Sequence, residues 1–456
     1  MNRYMTLYDT KGICILVISA LVLFVFAVTA KSQEVTAMTL REVIRTALSD
    51  NLDLRRSSNQ IADKELTLNQ SRMDFYPSLS ASMSSSKDYI KSSNGSFVDR
   101  TGASIRASLS SSINLFNGFR DINTYEKTRF EYQAVQKNYD YQRQSLILNA
   151  ISKFIDVMLK EELIGIEVEN LEAQKMQLDL VEAFYNAGNR SISDVLQQKA
   201  DISQSELNLI TAQRDYQVNY LELLKIMGKD PTDSVNFIKP KQETIISMIL
   251  AADISTSIDS AFSQRSDLIA QEIQKQALEK SVKVAGAGII PSASLSTSLG
   301  SSYLASSSAA GFNDQFIDTN PTLGIGLSIS IPLFDKSQTK NNTERAKISL
   351  SDQKLNIENL KLGIRLEIEQ ALLDYKTAIK QREAVQAQFE FTKQALEASK
   401  ARYKVGASTF TELSQIQAQY LSAANNRAQA DWNLLLRYVT MCYHRGNIDE
   451  AAGLFD

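Results

Sequence analysis

The sequence predicts a mainly α-helical protein that carries a small transmembrane β-barrel and is built as two structural repeats. Three observations support this prediction. The 456 residues include only six prolines and seventeen glycines, so the elements must be long and the turns few. Short motifs of the first half recur in the second half at a nearly constant distance. Around these motifs, stretches with alternating apolar residues, typical of strands, lie beside very long stretches with helical periodicity.

The internal repeat is visible as four pairs of motifs that keep one register. The distance between the partners grows by four residues only between the two strand regions, where a loop can absorb the difference. We therefore expect two repeats, at residues 33–240 and 257–456, joined by a linker at 241–256. The pairs are Asn51–Leu54 with Arg265–Leu268, Tyr76–Ser80 with Ile290–Ser294, Ile113–Asn117 with Ile331–Asp335, and Phe184–Gly188 with Arg402–Gly406.

The N-terminus has the pattern of a secretory signal peptide. Arg3 and Lys11 precede a largely apolar run from Ile13 to Val28, and small residues follow at Ala30 and Ser32. We expect residues 1–32 to be removed as a signal peptide. A retained membrane anchor is the alternative, although the apolar run is short for a helix that crosses a bilayer.

Two stretches predict exceptionally long helices. No proline occurs from Gly118 to Asn186, and Lys336–Val405 contains only Gly363 as an interruption. Sixty-nine helical residues would span about 104 Å, which exceeds the core of a globular domain, so the helices are expected to pack as coiled coils. Shorter helices are predicted over residues 39–76, 191–228, 257–290 and 408–446, so that two of them stacked end to end match one long helix.

Four stretches alternate apolar residues with small polar ones and predict strands near 78–86, 104–116, 292–300 and 322–334. The polar positions are mostly Ser and Gly, aromatic residues lie at the strand ends, and the loops 87–101 and 301–320 are polar. These features favour transmembrane strands over the alternative, a soluble sheet packed on the helix ends. Four strands cannot close a barrel, and an open edge in lipid leaves backbone groups unpaired, so several copies must assemble.

Composition and motifs argue against nucleic-acid binding and catalysis. The formal net charge is −3 without a concentrated basic face, so binding to nucleic acid is not expected. Cys442 is the lone cysteine after residue 32, and we assign Cys442 and the single histidine, His444, to helix packing rather than to a metal or nucleophile site. We find no nucleophile elbow, phosphate loop or ligand cluster, so we expect no enzyme activity, no cofactor and no metal.

The pattern resembles the TolC family of outer-membrane efflux proteins over nearly the whole chain after residue 32. The resemblance rests on Tyr76–Leu79, on Ile331–Asp335, and on two Tyr-x-x-Gly turns that end in Gly188 and Gly406. It implies a homotrimer with a twelve-stranded barrel in outer-membrane lipid, continuous with a long α-helical barrel in the periplasm. A secreted coiled-coil structural protein or adhesin is the rival class, but it does not explain the doubled strands.

The resemblance also implies a function and partners. The family's channels conduct drugs, small molecules or secreted proteins passively to the exterior. They dock to a periplasmic adaptor protein and, through it, to an inner-membrane transporter. In the family, the turns between the long and short helices form the closed periplasmic entrance and the surface that contacts the adaptor.

The family's entrance residues can be matched to this sequence position by position. The acidic gate residue is Glu412, and its equivalent in the first half is Asp194. Tyr403 matches the gating tyrosine. Ser408 replaces an arginine of the better-known members, Arg190 supplies a basic residue in the first turn, and Gln415 replaces a second acidic residue. The turn tips expected to contact the adaptor are Ala187, Gly188, Val405 and Gly406. The alternative for each charged residue is a solvated helix end.

Overall fold

A computed structural model describes residues 36–241, 243, 245–247, 258–305 and 311–453. The expected signal peptide and most of the expected linker lie outside these residues. Within the described ranges, no helix has both the length and the hydrophobicity to cross a membrane.

Helices and strands follow one another in a closely similar order in the two halves of the chain. In the first half they are β1 Thr36–Met38, α1 Leu40–Asp50, α2 Leu52–Met73, β2 Ser78–Lys91, β3 Phe97–Asn117, α3 Arg120–Asn186, α4 Ile192–Ile226 and β4 Val235–Phe237. In the second half they are α5 Ile258–Gln264, α6 Ser266–Gly286, β5 Ser292–Leu304, β6 Thr322–Ser330, α7 Gln338–Lys404, α8 Phe410–His444 and α9 Ile448–Gly453.

The long helices form the centre and one edge of a helical layer. Both α3 and α7 contain 67 residues, which corresponds to about 100 Å, and both α4 and α8 contain 35. Helix α3 packs against α2, α4, α6 and α8, whereas α7 packs against α6 and α8. One lateral edge of the layer is therefore α7, and the other consists of α2 and α4 along the length of α3.

The shorter helices before the strands differ from the expectation, because each is broken near its start. Asn51 has an extended backbone, and its side-chain oxygen accepts hydrogen bonds of 3.0 Å from the N–H groups of Asp53 and Leu54. Its amide donates to the carbonyl of Ile226 at 2.9 Å. Asn51 thus ends α1 and caps α2. Arg265, its partner in the repeat, is also extended and separates α5 from α6.

The larger sheet is antiparallel with the strand order β2-β3-β5-β6. The expectation of a long loop at 87–101 is wrong, because β2 and β3 continue into it and leave only residues 92–96 between them. Strand β6 ends at Ser330, earlier than expected. The loop before β6 contains a π-helical segment at Asp314–Thr319. Neither β2 nor β6 pairs with a further strand in the described chain.

The two faces of this sheet differ in chemistry. On one face, serines on β2 and β3 lie opposite each other, and the side-chain oxygens of Ser80 and Ser110, and of Ser82 and Ser108, are 2.8 Å apart. The other face is apolar and exposed in the single chain. Six of its large side chains have exposed fractions of 41–73%, namely Leu79, Leu109, Leu299, Leu323, Ile325 and Leu327.

The main hydrophobic core lies where α1, α3, α4, α7 and α8 meet the small parallel sheet formed by β1 and β4. Phe154, Leu223 and Trp432 are fully buried there. The indole N–H of Trp432 donates to Glu162 Oε2 at 3.0 Å, and Lys239 Nζ lies 2.8 Å from the same oxygen. This carboxylate therefore connects α3, α8 and the segment that follows β4.

Candidate functional site

Two tight turns end the long helices and start α4 and α8. Gly188 and Gly406 have φ angles of 75° and 78°. In both turns the residue after the glycine donates a hydrogen bond back to the end of the helix. The N–H of Asn189 donates to the carbonyl oxygen of Phe184, and the N–H of Ala407 donates to the carbonyl oxygen of Arg402, each at 2.9 Å. A Cβ at either glycine would meet nothing within 4 Å, so the left-handed backbone, and not close packing, is what favours glycine.

The expected gate acids, Asp194 and Glu412, occupy equivalent positions at the start of α4 and α8. The N–H of Asp194 donates to Ser191 Oγ at 3.3 Å, and the N–H of Glu412 donates to Thr409 Oγ1 at 3.2 Å. Both carboxylates lie in the first helical turn, where the backbone dipole stabilises negative charge. Ser191 and Thr409 therefore cap the two helices, the acids lie in the first turn that they cap, and the role of the acids at a gate stays a prediction.

Arg190 joins the two turns of one chain. Its Nη2 donates to the carbonyl oxygen of Ser408 at 3.0 Å, and its guanidinium lies 4.7 Å from the ring centroid of Tyr403. A planar guanidinium can form both contacts at once. The structure thus brings two residues predicted for the gate, Arg190 and Tyr403, into one contact group with Ser408, and the group links the ends of α3 and α7.

Tyr403 is the buried centre of this region. Its ring packs edge-on against Phe184 and Phe410, with centroids 6.0 and 6.4 Å apart. Burial raises the pKa of its hydroxyl. The buried hydroxyl has no hydrogen-bond partner among the described residues. Tyr403 belongs to a small core that also contains Val181, Val195, Leu396 and Leu413.

Arg402 is a further charged residue of the turn region, and the sequence alone does not indicate its partner. Its Nη1 lies 3.3 Å from Glu412 Oε1, and Ser408 Oγ donates to Glu412 Oε2 at 2.8 Å. Glu412 is therefore paired within its own chain. Arg402 stands in the last turn of α7, where a cation is favoured by the helix dipole, ten residues before Glu412. A basic residue near the end of a predicted helix can be recognised in the sequence. Its contact with Glu412, however, depends on how the chain folds at the turn.

The tips of the turns carry small and apolar residues between exposed polar ones such as Asn189 and Lys404. Val405 is 79% exposed, and Ala187, Gly188 and Gly406 are exposed as well. Side chains of this size leave backbone atoms accessible at the tips. Contact of these tips with an adaptor stays a prediction.

Cys442 and His444 lie far from the turns, at the end of α8. Cys442 is buried, and burial raises the pKa of its thiol to about 11. His444 Nδ1 and Arg265 Nη1 lie 3.2 and 2.6 Å from Glu367 Oε2, and these contacts hold the pKa of Glu367 at about 2. No group of three or more potential metal ligands is found among the described residues.

Comparison with known proteins identifies the family. The profile of the outer membrane efflux proteins matches residues 43–229 and 257–441. The chain belongs to the outer membrane efflux protein family. It is an export channel of the outer membrane, and its helices lie on the periplasmic side; the expected relationship to the TolC family is confirmed.

Individual relatives are distant but cover most of the chain. The outer membrane protein TolC of Escherichia coli is 22% identical over 429 residues, which are 91% of this chain and 83% of that protein. The pyoverdine export outer membrane protein OpmQ of Pseudomonas putida is 22% identical over 75% of this chain and 70% of its own.

Solved structures of channels have the same fold. CusC superposes with a TM-score of 0.79 at 18% identity, over 90% of this chain and 92% of its own. The Campylobacter jejuni CmeC outer membrane channel gives a TM-score of 0.77 at 18% identity, over 91% of this chain and 90% of its own. The mainly helical fold with a partial barrel sheet therefore agrees with the sequence prediction.

Proposed function

We propose that three copies of this chain assemble into one channel with a twelve-stranded barrel and a continuous helical tunnel. The observation that carries the proposal is that the lateral edges of the single chain are incomplete, both in the sheet and in the helical layer. Each chain would supply four strands and one third of the tunnel wall.

The sheet edges support closure by further copies. Strands β2 and β6 are the outer strands, and the order β2-β3-β5-β6 is antiparallel throughout. Because the number of strands is even, β6 of one chain can pair with β2 of the next without breaking the antiparallel alternation. Closure would satisfy the backbone groups of both edges, which lipid cannot do. The resemblance to the TolC family supports three chains as the number that closes the ring.

The helical edges support the same arrangement. Helix α7 exposes five apolar residues at steps of seven, seven, four and seven, each 60–67% exposed, which is the spacing of a coiled-coil interface. We call this row the α7 seam; it consists of Ile348, Leu355, Leu362, Leu366 and Leu373.

The opposite edge offers a surface that the α7 seam can contact. Leu196, Leu207 and Ile210 of α4 are exposed there, and Leu66 of α2 is exposed on the same side of α3. Contact between the α7 seam of one chain and this edge of the next is head-to-tail, and such contacts form a closed ring when the rotation permits. Large exposed apolar rows on a monomer are otherwise unfavourable in water.

The faces of the sheet fit a channel in this assembly. The apolar face, with Leu323, Ile325 and Leu327, would contact the outer-membrane lipid. The serine and glycine face would line the lumen, where small side chains leave room for a water-filled passage. A coiled-coil adhesin does not require a sheet with one apolar and one polar face.

At the periplasmic end, the turns would form the entrance of the channel. Asp194, Glu412 and Arg190 would line its constriction, and the buried Tyr403 would pack behind them as part of the gate. The tips at Ala187, Gly188, Val405 and Gly406 would contact a periplasmic adaptor. The adaptor would connect the channel to an inner-membrane transporter in a tripartite system.

The channel would conduct drugs, small molecules or secreted proteins passively from this assembly to the cell exterior. The contact of Arg190 with Ser408 and Tyr403 supports a gate in which both turns of one chain move together.

The two halves would be structural repeats of one ancestral unit, at residues 33–240 and 257–456, with residues 241–256 as linker and residues 1–32 as a cleaved signal peptide. The separate matches of the family profile to each half support this division. The equal lengths of α3 and α7, and of α4 and α8, support it as well.

The proposed channel is tested by recording currents across planar lipid bilayers after addition of the protein purified from outer membranes. We expect discrete conductance steps, because each assembly adds one aqueous pore. A protein that inserts into vesicles but conducts no ions would contradict the proposal and favour a structural role.

A further inference from the structure

The serine and glycine face of the sheet is almost free of charge. From the helical end outwards, the rows of paired residues contain small polar residues and glycines, with one leucine at the outer end. Arg106 is the exception. The rows are Asn114–Ser294–Ser328, Ser78–Ser112–Ser296–Gly326, Ser80–Ser110–Ser298–Gly324, Ser82–Ser108–Gly300–Thr322, Ser84–Arg106–Ser302 and Ser86–Ser104–Leu304.

Arg106 lies near the end of the four-stranded part of the sheet that is remote from the helices. It lies on β3 between Ser84 and Ser302, six residues before Ser112 and thus about 20 Å further out along the strand. Its side chain is exposed. The helices join the opposite end of the sheet. In the proposed assembly, Arg106 therefore lies in the part of the barrel nearer the cell exterior.

The surroundings of Arg106 leave its charge uncompensated. Its cross-strand partners are serines on both sides, and no ion pair to Arg106 is formed among the side chains that the structure describes. Asp88 is the nearest acidic residue along β2. It lies four residues beyond Ser84, about 13 Å further outward, where the register of β2 and β3 becomes irregular. A guanidinium remains charged at all physiological pH values.

We propose that Arg106 forms a ring of three guanidinium groups inside the outer part of the barrel, and that this ring attracts anionic groups of molecules leaving the channel. The inference rests on the proposed trimer, in which each chain contributes one Arg106. Carboxylates and phosphates are the groups that guanidinium binds best. The lipid-surrounded wall has a low dielectric constant, so three like charges raise the local concentration of anions.

The ring has the sign opposite to that of the acidic residues at the periplasmic entrance. Asp194 and Glu412 would favour cations at one end, while Arg106 favours anions at the other. Salt weakens this effect, because the Debye length is about 8 Å at physiological ionic strength and about 30 Å at 0.01 M. The selectivity of the outer ring is therefore measured best in dilute salt.

The test is the reversal potential of the channel in a potassium chloride gradient at low ionic strength. Arg106→Ser should shift the cation-to-anion permeability ratio toward cations by about twofold or more, less than the enrichment reached in narrow charged clefts because the barrel is wide. Arg106→Glu should shift the ratio further. Serine matches the neighbouring residues, so Arg106→Ser is expected to assemble, which its mass in detergent would verify.

A matched pair of double variants identifies the lumen face. Ser84 lies directly opposite Arg106, whereas Ser85 points to the other face. Adding Ser84→Arg to Arg106→Ser should restore the original permeability ratio, and adding Ser85→Arg should not. An unchanged ratio in both Arg106→Ser and Arg106→Glu would overturn the ring while leaving the channel intact. Absence of any conductance in the natural protein would overturn the proposed assembly, and the ring with it.

Discussion

Single residues determine how the two turns at the end of the long helices are held. Gly188 and Gly406 reverse the chain, and Arg190 connects the turns through the Ser408 carbonyl and the Tyr403 ring. The Tyr-x-x-Gly motif predicted the two glycines, and the match to the TolC family indicated Tyr403 and Arg190. The sequence could not predict the pairing of Glu412 with Arg402, because that contact depends on how closely α7 and α8 approach each other after the turn.

The gate residues give the first prediction. Glu412→Gln should weaken the cation preference of the closed channel, because it removes three carboxylates from the entrance. Arg190→Ala should raise the conductance, because the two turns of each chain lose their connection. The rise in conductance of Arg190→Ala is expected to be small, since an exposed charged contact contributes only about 0–1 kcal/mol. Single-channel recording measures both properties.

A matched control is Arg190→Lys, which keeps the charge but loses the planar group that stacks on Tyr403. We expect the conductance of Arg190→Lys to lie between that of the natural protein and that of Arg190→Ala. If Glu412→Gln keeps the ion selectivity and Arg190→Ala keeps the conductance of the natural protein, the constriction lies elsewhere.

The carboxylate of Glu367 gives a prediction about pH. Its hydrogen bond to His444 and its ion pair with Arg265 lower its pKa from 4.5 to about 2. A lowered pKa in the folded state means that the contribution to stability is complete above pH 4.5 and is lost as the pH falls toward 2. The Glu367→Gln variant should therefore unfold at a lower temperature than the natural protein at pH 7. Between pH 4.5 and 2, the variant should lose less stability than the natural protein does.

Circular dichroism at 222 nm during heating measures this difference, because the helices dominate the signal. Glu369→Gln is the control, since Glu369 is exposed on the same helix. A pH dependence between 4.5 and 2 that is identical for Glu367→Gln and the natural protein would show that this carboxylate does not stabilise the fold.

The elements of secondary structure followed largely from periodicity. The alternation of apolar and polar residues predicted all four strands and the face on which each side chain lies, because a strand places neighbouring residues on opposite sides. The breaks at Asn51 and Arg265 could not be predicted in the same way, because the apolar pattern continues across them. The extension of β2 to Lys91 and of β3 from Phe97 was also missed, because the polar residues of this stretch resemble a loop in sequence.

Strand polarity gives the third prediction. Leu327→Arg should impair insertion, because a charge on the lipid side near the bilayer midplane costs about 2–4 kcal/mol. Ser328→Arg, one residue further on the serine face, should insert normally and change the conductance. The amount of each variant recovered in outer membranes measures insertion. Equal recovery of both variants would contradict the assigned faces of the sheet.

The α7 seam gives a prediction about helix packing between chains. Leu362→Glu should lower the temperature at which the assembly dissociates, because full burial of one leucine is worth about 1.5–3 kcal/mol. Asn356→Glu is the control, since Asn356 is exposed on α7 but does not belong to the α7 seam. Gel electrophoresis after heating in detergent distinguishes assembled from separated chains. Dissociation of both variants at the same temperature would place the interface on another surface.

At the scale of the whole molecule, the described part of the chain has open lateral edges. Within it the sheet ends at β2 and β6 without a further strand, and the helical layer ends in exposed apolar rows on α7 and α4. The sequence indicated that several copies must assemble, because four strands cannot form a barrel. It could not distinguish apolar residues that pack inside a chain from those that pack between chains, since both recur with the same helical spacing. The number three came from the resemblance to a family.

The measurement that tests the assembly most directly is the native mass of the protein extracted from outer membranes in a mild detergent. We predict a single species with the mass of three chains, because three copies pair all sheet edges and cover both apolar helical edges. The barrel should remain folded in this species, with the β-sheet band of its infrared spectrum retained. A stable single chain that keeps the same β-sheet band would contradict the account.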